Sequence, residues 1–328
     1  MSASGKAAML AAAVLALAAG GCGTRSESKR HIVAGGPPSR AGFPVVLTDA
    51  QGEQVRVERR PKRIASAAPV VTEMLFALGV GDRVVGVTEQ CDYPPEVKRR
   101  PRIGQYWSPS VEKTLGARPD LVIASRGSPP DFVTAVRRSG CAVFTIDPKT
   151  LEEIFEAIGQ VARIVGEEDS GGRLVGEMRK RLEAVRARLS KVPEEQRPTA
   201  FIVLEVSTLY TAGAGTFQDD AIRAAGGRNV AAVKRGFVPF SVESLTAADP
   251  DFLLLSTMEG DPERMKREVL ASPALRGLSA VREGRLVVLE ADPIMRPGPR
   301  IVEAVEEMGR GFYPETFSIP SSSETSER

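Results

Sequence analysis

The chain has 328 residues, 42% of them hydrophobic and 26% charged, with a formal net charge of only +2. This is the composition of a soluble globular protein long enough for two domains, and so even a balance excludes the basic field that nucleic acid or an anionic membrane surface would require. The single histidine, His31, removes most zinc-type sites and every Ser-His or Cys-His catalytic arrangement. No metal site, no cofactor and no enzyme activity are expected.

Lys6 precedes an unbroken apolar run from Ala7 to Ala19. Spanning a bilayer takes roughly 20 apolar residues, so this shorter run reads as the core of a secretory signal peptide covering residues 1–21. Gly20-Gly21-Cys22 resembles the bacterial lipobox, with Ala19 where that motif usually carries leucine. The resemblance implies that Cys22 is acylated, becomes the new N-terminus and anchors an exported protein to a membrane. Residues 22–42 are rich in Gly, Ser, Pro and Arg, a flexible tether, and residues 318–328 read as a disordered tail. Export places Cys91 and Cys141 in an oxidising compartment. A disulfide needs Cα atoms within about 7 Å, which sequence does not show, so their pairing stays open.

The mature chain opens with two alternating apolar runs, Phe43 to Val57, around Asp49-Ala-Gln-Gly52, the pattern of a hairpin. A short strand at Arg63–Ala67, a helix over Val71–Leu78 and a strand at Val84–Val87 follow, then apolar strands at Leu121–Ala124 and Val143–Ile146. Buried strands alternating with helices predict an α/β lobe with a mainly parallel sheet over residues 43–149. The pattern repeats over residues 192–317, with strands at Ala200–Leu204, Phe252–Leu255 and Leu286–Leu289 and helices near Asp219–Ala225 and Ile301–Met308.

The two halves also match in residues. Ser110–Ser125 aligns without a gap on Ser241–Ser256, with Ser-Val-Glu, Ala, Pro-Asp and the final Ser in common. Shared punctuation explains the Pro-Asp, but hardly Ser-Val-Glu at the same spacing, so two related lobes are expected. Within residues 150–191, Leu174, Met178, Leu182, Val185 and Leu189 recur at helical spacing. A helix from about Gly171 to Ser190 would run roughly 30 Å and hold the lobes rigidly. The predicted fold is therefore two Rossmann-like α/β lobes joined by one long helix, with a ligand cleft between them.

TDAQG (48–52), PKRIAS (61–66), TEMLFALG (72–79), CDYPP (91–95), PDLVIAS (119–125) and RPGPRI (296–301) together resemble the helix-linked class of periplasmic binding proteins, the receptors for ferric siderophores, haem and cobalamin. The resemblance spans residues 43–315. It implies delivery to an ABC permease dimer with its ATPase subunits, and docking through one glutamate per lobe, here Glu112 and Glu243, the acids of the matched segments. By likeness to the cobalamin receptors, Tyr93, Tyr106, Tyr210, Phe237, Asp292 and Arg296 match ligand-contacting positions. Tryptophans common in those receptors are replaced here by Ser125 and Phe237.

Aromatic residues make up only 5% of the chain, so their placement is informative. Tyr93, Tyr106, Trp107, Tyr210, Phe237 and Phe240 all fall in predicted loops after strands, where α/β sheets bind ligands, and suit a bulky, partly apolar ligand. The likeness to the cobalamin receptors implies a corrinoid. Arg126, Arg296 and Arg300 suit the oxygens of a ferric siderophore, and haem could take a tyrosine as axial ligand. Against an enzyme, Gly79-Val-Gly81 follows a helix and lacks the third glycine of a dinucleotide loop, and Gly213-Ala-Gly215 lacks a phosphate-loop lysine.

Overall fold

The structure, a computed structural model, describes residues 42–256 and 262–318. The export segment, Cys22 and nearly all of the predicted tether and tail lie outside the described residues. The predicted hairpin is present: Val45–Thr48 pairs antiparallel with Gln54–Val57, and Asp49 closes the turn by accepting from the backbone N–H groups of Gln51 and Glu53 at 2.9 and 3.0 Å.

Each lobe is built on a four-stranded parallel sheet. In the first, the order is Val84–Val87, Ile64–Ser66, Leu121–Ser125, Ala142–Ile146. In the second it is Arg228–Asn229, Thr199–Val203, Phe252–Leu255, Leu286–Val288. Numbered along its own lobe, each sheet runs 2-1-3-4, so the repeat holds at the level of topology. Its matched residues do the same work twice. Ser110 and Ser241 each cap the following helix, accepting from the N–H three residues on at 3.1 Å. Asp120 accepts from the N–H groups of Lys62 and Arg63, and Asp251 from that of Thr199, so each ties the third strand to the start of the first. Even the left-handed residue before each Pro-Asp recurs, Arg118 at φ 46° and Asp249 at φ 33°.

Strand residues alternate between two cores, as the twofold period of a strand requires. On the first sheet Ala65, Val122, Ala124 and Val143 meet the helices Val111–Gly116 and Pro130–Arg138. On the second, Phe201, Val203, Leu253 and Leu255 meet Leu245 of the helix Val242–Ala248 and Met265 and Val269 of Pro262–Ala271. The opposite faces of both sheets, Leu121, Ile123 and Phe144 of the first and Ala200, Ile202 and Leu254 of the second, belong to one continuous cluster.

Five long helices contribute to that cluster: Pro69–Ala77, Leu151–Val165, Glu168–Arg188, Phe217–Ala224 and Ile301–Phe312. The long helix has 21 residues and begins three residues before the predicted start, about 31 Å at the α-helical rise. Arg181 on it grips Glu306 of Ile301–Phe312 with two bonds of 2.8 Å. Preceding it, Leu151–Val165 is a separate helix, ended by Gly166 in the left-handed conformation. The lobes are therefore joined by a packed core as well as by a single helix. Cys91 and Cys141 are free thiols. Cys91 is buried among the Thr72 and Thr88 hydroxyls, and burial pushes the Cys141 thiol up to about 11.

Candidate functional site

In a sheet of order 2-1-3-4 the chain reverses direction between the first and third strands, and ligands sit beyond the carboxyl ends of the strands at that point. In the first lobe these ends are Ser66 and Ser125. Tyr106 reaches one of them. Its hydroxyl shares a 2.8 Å hydrogen bond with Ser125 Oγ, and its backbone N–H donates to Gln90 Oε1 at 2.7 Å. The ring tip lies against the Cα of Gly127, where a Cβ would stand 2.0 Å from the hydroxyl oxygen; any side chain there would displace the tyrosine. Burial raises the Tyr106 pKa, with Ser125 partly countering.

Four aromatic side chains among the described residues are exposed large hydrophobics: Tyr93, Trp107, Tyr210 and Phe237, between 37% and 53% accessible. All four follow the first or second strand of their lobe. Tyr210 and Phe237 are brought together by a short antiparallel pairing of Tyr210–Ala212 with Phe237–Pro239, and the Tyr210 hydroxyl donates to the Phe237 carbonyl at 3.3 Å. Phe240 differs from its loop reading. It is 6% exposed and packs on Phe201 with ring centroids 5.3 Å apart, because the chain turns into the second lobe's own core just before Ser241. Arg126 is exposed, with only a 3.6 Å contact to Asp147.

Tyr93, Asp292 and Arg296 meet in a charged cluster that joins the lobes. Arg296 donates to Glu73 and Asp92 and forms an ion pair with Asp292, each at 2.8 Å. Arg300 donates to Glu73 through Nε at 2.9 Å and Nη2 at 2.8 Å, and to Asp292 at 3.2 Å. Its guanidinium carbon lies 4.0 Å from the centroid of the Tyr93 ring, a cation–π contact. Three carboxylates against two guanidiniums leave the cluster with one formal negative charge. Burial pushes the Asp292 carboxyl up and Arg296 only partly offsets this. At Asp92 burial acts the same way, but Arg296 outweighs it and holds that carboxyl below its ordinary range.

Glu73 was not among the residues singled out from sequence. The available signal was an acid inside the apolar run Val70–Leu78 with no cation nearby, since a buried carboxylate needs a charged partner from elsewhere in the fold. Glu112 and Glu243 occupy matching positions in the first turns of their helices. Both are exposed, and no hydrogen bond or ion pair engages either among the described residues. A groove of about 1060 Å³ lies elsewhere, along the long helix, lined by Arg179, Lys180, Arg186, Arg197 and Arg223. It contains none of the four exposed aromatic residues.

Two related α/β lobes, a shared core and exposed aromatics beyond the strand ends define a two-lobed receptor for a small-molecule ligand. The chain belongs to the periplasmic binding protein family, whose model matches residues 64–293. It is 30% identical over 316 residues, 94% of this chain and 96% of the other, to the uncharacterized ABC transporter substrate-binding lipoprotein YvrC of Bacillus subtilis. It is 29% identical over 283 residues, 84% of this chain and 76% of the other, to a cobalamin-binding protein of Halobacterium salinarum. Among solved structures it is similar to the periplasmic heme-binding protein RhuT from Roseiflexus sp. RS-1 in apo form, with a TM-score of 0.68 and 30% identity over 78% of this chain and 99% of the other. The protein is a substrate-binding component of an ABC importer.

Proposed function

We propose that the protein captures a corrinoid, such as cobalamin, and delivers it to its permease. The observation that carries this reading is the set of four exposed aromatic side chains, two in each lobe. Such surfaces suit a large ring system better than an ion or a sugar. The charged cluster supports the choice among metal complexes. Arg296 and Arg300 are already satisfied by carboxylates, whereas Arg126 has only a loose partner among the described residues. Haem propionates and catecholate siderophores call for guanidinium partners. A corrinoid, rimmed mainly by carboxamides, does not. The Halobacterium relative's name points the same way.

Haem is the second reading, favoured by Tyr93. Its exposed phenol, with a guanidinium on the ring face, is of the type that ligates ferric iron. Titration of the purified protein with cyanocobalamin, haemin and a ferric hydroxamate separates the readings. Cobalamin should co-elute on gel filtration, and Phe237→Ala should weaken it about tenfold, ~1.4 kcal/mol. Retention of haemin alone, with a tyrosinate absorption band lost in Tyr93→Phe, would replace the corrinoid by haem. Retention of neither would refute both.

Anchoring rests on Cys22 and docking on Glu112 and Glu243. A Cys22→Ala protein should leave the membrane fraction for the soluble exported fraction. An unchanged membrane fraction would remove the lipid anchor from the account.

A further inference from the structure

We infer that Glu73 is a positioning residue for the ligand site: one buried carboxylate of the first lobe fixes two arginines of the second and thereby sets the spacing of the lobes. The inference rests on reading the aromatic surface as the ligand site.

Glu73 lies in the helix Pro69–Ala77 and is 3% exposed. A carboxylate removed from water needs charged hydrogen-bond donors, and all of those it has come from the other lobe: Arg296 Nη1 at 2.8 Å, Arg300 Nε at 2.9 Å and Arg300 Nη2 at 2.8 Å. The corresponding helix of the second lobe, Phe217–Ala224, carries a buried acid too. That acid, Asp219, has its partners within its own lobe, a hydrogen bond of 3.0 Å from Asn229 to Oδ1 and an ion pair of 3.1 Å between Arg223 and Oδ2. Only the first lobe exports the need for a partner.

The turn between the two arginines packs directly on the same helix. Gly298 lies against Val70, where a Cβ would stand 3.0 Å from Val70 Cγ2. The guanidiniums fixed there reach outward to exposed groups. Arg296 continues to Asp92, whose side chain is 56% exposed, and to the Gln90 carbonyl at 3.4 Å. Arg300 continues to the face of Tyr93. Order therefore passes from a buried anion, through two arginines, to Asp92 and Tyr93 at the surface. The bonds that orient these groups are the bonds that hold the lobes together, so a ligand that moves Tyr93 or Asp92 acts on lobe spacing as well.

The test compares wild type with Glu73→Gln, which keeps size and removes the charge, by small-angle X-ray scattering without ligand and by affinity for cyanocobalamin. The expected result is a larger radius of gyration in the folded variant and a Kd raised by about tenfold or more. Should Glu73→Gln not yield folded protein, Arg300→Gln, which removes two of the three donors to Glu73, replaces it, with the same expansion and the same weakening expected. An unchanged scattering profile in the folded variant overturns the inference. If wild type retains no cyanocobalamin, the corrinoid reading fails while the scattering comparison still decides the role of Glu73.

Discussion

Replacing Glu112 and Glu243 together with alanine is expected to leave ligand affinity unchanged and to abolish uptake. Both acids stand in the first turn of a helix capped by the matched serine, and both are exposed without a partner among the described residues. A carboxylate at a helix N-terminus adds about 0.3–1 kcal/mol through the helix dipole, so each replacement should barely move the melting temperature. Leaving a desolvated interfacial charge without its partner costs about 2–5 kcal/mol. Two such losses would weaken docking by roughly a hundredfold or more. Transport of labelled ligand into cells carrying the double variant measures the effect, with affinity measured on the purified protein. Normal uptake, or a loss of ligand affinity equal to the loss of uptake, would exclude the docking role. Each single variant should retain partial uptake, because the other lobe still presents its acid.

The largest effect on stability is expected from Phe201→Ala. Phe201 is fully buried in the strand Thr199–Val203, which has a neighbour on either side, and its ring packs on Phe240. Truncating a buried phenylalanine costs about 3–5 kcal/mol, which for a chain of this size lowers the melting temperature by roughly 10 °C. Phe237→Ala, three residues before Phe240 but exposed, should cost no more than about 0.5 kcal/mol. Calorimetry on the two variants makes the comparison. Equal losses would mean that the second lobe's core is not where these contacts place it. Because Phe240 immediately precedes Ser241, the Phe201 variant should also disturb the helix Val242–Ala248, proposed here for docking, and lower uptake more than ligand affinity.

Much of this architecture was legible in the chain. Ser110 and Ser241, Pro119 and Pro250, and Asp120 and Asp251 act locally, as caps and strand ties, and local roles leave local patterns. The same repeat, carried four residues back from Ser110 and Ser241, aligns Tyr106 with Phe237. That pairing is less visible because the two aromatics differ, and the difference has a structural trace: the first-lobe tyrosine satisfies Ser125, whereas Ser256 Oγ is buried without a hydrogen bond among the described residues. Arg228–Asn229 gives no strand signal in sequence, since two residues, one of them charged and exposed, carry no apolar period. Phe240 looked like a loop aromatic because exposure depends on the turn into the following helix. Glu73 with Arg296 and Arg300 was the hardest to see. Its members are more than 200 residues apart, and no periodicity links an acid in one lobe to a turn in the other.

The core shared by the two sheets also bears on survival. A protein built from two independent lobes can open one while the other stays folded, and the opened half is cut by proteases. Here Ile202 and Leu254 of one sheet and Ile123 and Phe144 of the other belong to the same buried cluster, so melting either lobe strips apolar surface from its neighbour. Partial opening then costs nearly as much as complete unfolding, and the population of cleavable forms falls with it. For a receptor working outside the cytoplasm, beyond the reach of ATP-driven refolding, that cooperativity is a form of durability.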